Sequence, residues 1–121
     1  MIQLITILSP ADNSGAKRLM VIGITQKIGK TASIGQVVRC VVVGADPNGV
    51  VSDHEKVKVL IVRTKKEVRR VDGSYIRFDD NAGVVIDKQG LPLGTRVLGP
   101  IAREIKERGY TKIASLAREV V

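Results

Sequence analysis

Apolar runs broken by Gly, Pro, Asn and Asp recur about every ten residues along most of the chain. They predict strands near Ile2 to Leu8, Arg18 to Ile24, Gln36 to Val43, Val57 to Lys66, Ser74 to Asp79 and Val84 to Asp87. Short strands at this spacing mean a small barrel or sandwich. The runs Val37 to Val43 and Val57 to Val62 are largely apolar at both odd and even positions, which predicts strands covered on both faces. A closed barrel with a helix packed on it meets that demand.

Helical periodicity comes only at the end. Pro100 suits a first turn, Ile101 and Ile105 share a face, Glu104 and Arg108 stand at i, i+4, and Gly109 is a stop, together about two and a half turns. A second short helix is expected from Thr111 as N-cap, with Ile113, Leu116, Ala117 and Val120 on one side. The helical part then covers about residues 100–119 and packs on the barrel. No linker, repeat or low-complexity stretch divides the row, so residues 1–121 read as one domain.

Composition sharpens this. Val, Ile and Leu dominate, and the aromatics are Tyr75, Phe78 and Tyr110, so the core is aliphatic and β-branched. Cys40 is the one cysteine; it excludes an intramolecular disulfide, reads as a small buried hydrophobe and suits a reducing cytosol. No apolar run approaches the ~20 residues of a spanning helix, and the start MIQLITIL has neither a basic flank nor a cleavage site.

Charge points to the partner. The net charge is +8 and the isoelectric point near 10.0, which suits phosphate-rich ligands. Five basic residues fall within the eight from Arg63 to Arg70: Arg63, Lys65, Lys66, Arg69 and Arg70. Asp72-Gly73 follows, a signature of a two-residue hairpin turn. That turn would set Arg70 opposite Tyr75, Arg69 opposite Ile76 and Val68 opposite Arg77, putting Arg70, Tyr75, Arg77 and Val68 on one face. Lys66 would then meet Asp79 and Lys65 would meet Asp80, leaving the tip basic. A solvated edge hairpin kept from aggregating by its charges is the competing reading.

The scarcity of aromatic rings argues against a stacking platform for loose single strands, and no basic recognition helix is present, which leaves folded RNA read through backbone and shape. Gly23 to Thr31 imitates a phosphate-binding loop. It has five residues between its glycines instead of four and runs into a strand-like segment, so it reads as a connection offering Lys27 and Lys30 to RNA. His54 stands alone, and the adjacent Asp79 and Asp80 point to opposite strand faces, so neither a metal site, a cofactor nor a catalytic residue is expected. A free-standing barrel binding single-stranded nucleic acid is the alternative, and a small nucleotide hydrolase on Gly23 to Thr31 a third class.

Several segments together resemble one family. Met1-Ile2-Gln3, Ala11 to Arg18, Val62 to Lys66, the spaced Asp72-Gly73, Phe78, Asn81 and Val84-Val85, Gly94 to Pro100, Arg103-Glu104 and Lys112 to Ala117 are similar to the family of the fourteenth protein of the large ribosomal subunit. The resemblance spans the full length. Departures are Val59 where a small residue is usual, Arg118 in place of a proline, and an unusually acidic stretch from Gly44 to Lys56. It implies a five-stranded β-barrel with a protruding hairpin ribbon and a short C-terminal helical segment. It also implies a structural, non-catalytic protein of the ribosome, in the cytoplasm or, if organelle-encoded, in an organellar matrix or stroma, bound to large-subunit rRNA and touching small-subunit rRNA in an intersubunit bridge. The implied neighbours are the nineteenth and third large-subunit proteins and the ribosomal silencing factor, whose contact maps to Thr95, Arg96, Lys112 and Ser115. On this reading Lys17, Arg18, Lys27, Lys30, Arg63, Lys65, Lys66, Arg69, Arg70 and Arg77 take phosphates, with Tyr75 offering a ring.

Overall fold

The computed structural model describes residues 2–24 and 31–121. Five strands close into a barrel in the order β1 (Ile7–Pro10), β2 (Ala16–Ile24), β3 (Val37–Ala45), β4 (Lys56–Arg63) and β7 (Ala82–Ile86). All neighbours are antiparallel except β1 and β7, whose parallel pairing of Ser9 with Ala82 and Pro10 with Gly83 closes the cylinder. Closure leaves no barrel edge open to other chains.

Alternation along the strands builds two cores. Leu8, Leu19, Val21, Val38, Cys40, Val42, Val59, Ile61 and Val85 fill the barrel interior. Burial there pushes the Cys40 thiol up to about 12. On the outside, Leu60, Val62, Ala82, Val84 and Ile86 of β4 and β7 meet Val97, Ile101, Ile105 and Ile113 from the C-terminal segment. Strand β4 is therefore covered on both faces from Val59 onward, as its sequence predicts, though not at exposed Lys58, and β3 is not covered on both. Its outward Arg39 and Val43 are exposed, because the C-terminal segment spans only the β4 and β7 side.

Three further expectations need correction. The strand expected from Ile2 begins at Ile7, since Gln3 and Thr6 close a turn through the Thr6 Oγ1, 3.0 Å from the Gln3 N–H; Ile2 instead forms a lone bridge with Ala32. The expected C-terminal helices are shorter. α1 is Glu104–Glu107 and α2 is Thr111–Leu116, with Tyr110 and not Thr111 as N-cap. Val97–Ile101 forms β8 and Ala117–Val120 forms β9, a parallel ladder that ties Pro100 to Glu119 and Ile101 to Val120. Tertiary pairing overrides the helical spacing here: the ladder keeps Val97 and Ile101 buried and leaves Val120 exposed.

The third correction concerns the hairpin. β5 (Val68–Arg69) and β6 (Tyr75–Ile76) pair Val68 with Ile76 and Arg69 with Tyr75, one residue away from the expected register. The Gly73 N–H donates to the Arg70 carbonyl at 2.9 Å and the Arg70 N–H to the Ser74 carbonyl at 2.8 Å. With Gly73 at φ 88°, this is a three-residue loop, a tight turn followed by a left-handed glycine, in place of a two-residue turn. The slip gathers Val68, Ile76 and Phe78 on one face, where they pack against the outer core. The ribbon is thus docked along its inner face, with Val71 fully exposed at its tip.

Candidate nucleic-acid interface

A one-residue change of register exchanges the faces of a hairpin. The solvent face carries Glu67, Arg69, Tyr75 and Arg77, all exposed, and the inner face carries Val68, Arg70, Ile76 and Phe78. Arg70 is therefore not beside Tyr75 and Arg77. Its Nε lies 2.8 Å from Glu104 Oε1, off the hydrogen-bonding direction, and its Nη2 donates to the carbonyl of Val121. Sequence alone missed this because Asp72-Gly73 suits both loop lengths.

Arg63 changes role as well. It is buried, its Nε donating to Asp80 Oδ1 at 2.9 Å and its Nη2 to Oδ2 at 3.3 Å. Its Nη1 donates to the carbonyls of Leu98 at 2.8 Å and Pro100 at 3.0 Å. The guanidinium fork is a staple between β4, the residues after β6 and β8, with its donors committed inside the protein. Gly99 makes room for it: a side-chain carbon there would fall 2.5 Å from Arg63 Nη1. Asp80 pairs with Arg63 and not with Lys65, and Lys66 pairs with Glu67 at 3.2 Å, not with Asp79. That contact, after the carboxylate's own backbone N–H, holds Glu67 below the usual carboxylate range.

Lys17, Arg18, Lys65, Lys66, Arg69 and Arg77 are exposed cations, joined by Tyr75 at 65% exposure. Lys27 and Lys30 lie outside the described residues, as does most of the phosphate-loop imitation; the segment after it enters β3, not a helix. Exposed Arg39 of β3, Lys58 of β4 and Lys88 after β7 were not singled out from sequence, although the alternation Lys56-Val57-Lys58 marks the outward side.

Thr95, Arg96, Lys112 and Ser115 are all exposed, the first two just ahead of β8 and the last two on α2. Thr95 and Lys112 line one concavity of about 280 Å³ with Leu91, Pro92 and Leu116, and the Ser115 hydroxyl donates to the Lys112 carbonyl at 2.7 Å. Asn13 sets the shape of this surface. Its Oδ1 accepts the N–H groups of Thr95 at 2.8 Å and Arg96 at 3.0 Å, while its Nδ2 donates to Thr95 Oγ1 at 2.8 Å. Next to it, buried Asp12 accepts from the Ser14 hydroxyl at 2.9 Å and the Val85 N–H at 3.0 Å. Burial pushes its carboxyl above the ordinary range, and those hydrogen bonds pull it part of the way back.

A family model described as ribosomal protein L14p/L23e matches residues 1–121. The chain belongs to that family. Curated relatives agree along their whole length. The large ribosomal subunit protein uL14 of Aquifex aeolicus (strain VF5) is 58% identical over 121 residues, covering 100% of both chains. That of Petrotoga mobilis (strain DSM 10674 / SJ95) is 55% identical, covering 99% of each, and that of Hydrogenobaculum sp. (strain Y04AAS1) 51% identical over 100% of each. As a member of the L14p/L23e family the chain is a structural constituent of the large ribosomal subunit and works in translation among rRNA and ribosomal proteins. Among the described residues no three His, Cys, Asp or Glu side chains gather as metal ligands, and His54 sits exposed on a turn beside Asp53. Among the described residues no helix is long and apolar enough to cross a membrane.

Proposed function

We propose that this protein binds folded large-subunit rRNA through phosphate contacts from Lys17, Arg18, Lys65, Lys66, Arg69 and Arg77, with Tyr75 laid against the sugar-phosphate surface. Lys27 and Lys30 join them on sequence grounds. One observation carries the reading: a hairpin fixed by three apolar side chains and Arg70 on one face presents Arg69, Tyr75 and Arg77 on the other. A docked ribbon loses little conformational freedom on binding, so its charge is available to the partner.

The same reading, extended from the family resemblance, places the protein at the subunit interface. There it bridges to small-subunit rRNA, beside the nineteenth and third large-subunit proteins. The surface of Thr95, Arg96, Lys112 and Ser115 is the docking face for the ribosomal silencing factor, pre-shaped by Asn13. The role is structural and the ribosome in the cytoplasm its location.

Binding to an rRNA fragment measured against salt tests the ribbon. Replacing Arg69 and Arg77 together by Glu is expected to flatten the slope by roughly one to two units, from about 0.7 to 0.9 per phosphate contact. An unchanged slope removes the ribbon from the interface. Tight binding to an unstructured oligonucleotide at physiological salt would favour a single-strand binder instead.

A further inference from the structure

We propose a second RNA site, resting on the reading that the chain binds rRNA: a groove across β3, β4 and β7 that receives one unpaired, turned-out nucleotide. Arg39 and Lys58 are directly opposite each other in the β3–β4 ladder, and Lys58 is opposite Ile86, two residues before Lys88. Like charges in opposed positions repel, so the row carries an energetic cost that a bound anion removes. Among the described residues none of these three side chains makes an ion pair, and no carboxylate lines the groove.

The floor differs from a phosphate track on a flat surface. The groove encloses about 830 Å³, and its lining includes Val37, Ile86 and Tyr110, which pack with the outer core. Cations around an apolar hollow match the two halves of a nucleotide, phosphates outside and a base within. A base stacked in a duplex has no free face to bury, so the occupant is one from a loop or bulge. An acidic peptide with aliphatic side chains would meet the same charges. The net charge of +8 and membership of a family of ribosomal proteins favour phosphate.

Photocrosslinking in intact large subunits tests this. A benzoylphenylalanine placed at Gln89, an exposed residue on the rim, is irradiated and the adduct mapped by reverse-transcription stops. One stop beside an unpaired nucleotide is expected, its yield falling roughly threefold or more with Lys58→Glu, the scale of one phosphate contact. Where Lys58→Glu lowers incorporation into subunits, Lys58→Gln is compared at equal stoichiometry. Adducts on protein, stops spread along a helix, or no adduct in subunits that contain the protein overturn the groove. They leave the ribbon reading intact, because that is judged by the salt slope of the Arg69 and Arg77 variant.

Discussion

Arg70 and Glu104, thirty-four positions apart, face each other at 2.8 Å between Nε and Oε1, and this contact fastens the hairpin to α1. Both side chains are largely buried, at 16% and 21% exposure, so the pair is screened far less than one at the surface. The neighbouring residue on the same strand, Arg69, points the other way.

Adjacent arginines are therefore expected to fail differently. Arg70→Glu opposes two carboxylates and leaves Glu104 without its partner, at about 3 kcal/mol of stability in a urea melt. Arg69→Glu is expected to change stability by no more than about 0.5 kcal/mol while weakening rRNA binding. The opposite ranking in the melts would restore the two-residue turn and its register.

Arg63 invites the same separation of roles. Replacing it with Met keeps the aliphatic stem but strands Asp80 and the carbonyls of Leu98 and Pro100. We expect a loss of about 2 to 4 kcal/mol in denaturant unfolding. The salt slope of RNA binding by the folded fraction should stay put. A flattened slope with full stability would return Arg63 to the phosphate-contacting set.

Asp12 gives a pH signature. Burial raises its carboxyl above the ordinary 3.8, so between that value and the folded one the native state holds a proton that the unfolded chain has released. Stability contributed by this group is fully present in acid and falls as pH rises through that window, then levels off. Exposed Asp72 is held low by the Ser74 hydroxyl and slopes the other way, but is common to wild type and variant. The stability of wild type minus that of Asp12→Asn, from urea melts between pH 3.5 and 7, should therefore decline with pH. Asn also turns a donor toward the Val85 N–H or the Ser14 N–H, costing about 1 to 3 kcal/mol throughout. A difference that grows with pH would show that the hydrogen bonds to Asp12 outweigh its burial.

Much of the barrel was legible in the row of residues. Strands β2, β3, β4 and β7 fall where apolar runs meet turn residues, and the double burial of β4 follows from Leu60 and Val62 being as apolar as Val59 and Ile61. The interface was legible as composition and clustering, less so as geometry. Arg39, Lys58 and Lys88 are far apart in sequence, and only ladder pairing makes them neighbours.

The sequence by itself determined the aliphatic barrel, the basic character and the place of the turn at Asp72-Gly73, because alternation, charge and left-handed backbone are local properties. Tertiary structure alone decided the hairpin register, the replacement of helix by the β8–β9 ladder, and which arginines reach solvent. Those outcomes depend on competing arrangements of nearly equal local energy. The outer core selects among them by the apolar surface each can bury: one register joins Val68, Ile76 and Phe78 to it, and the other divides them between two faces.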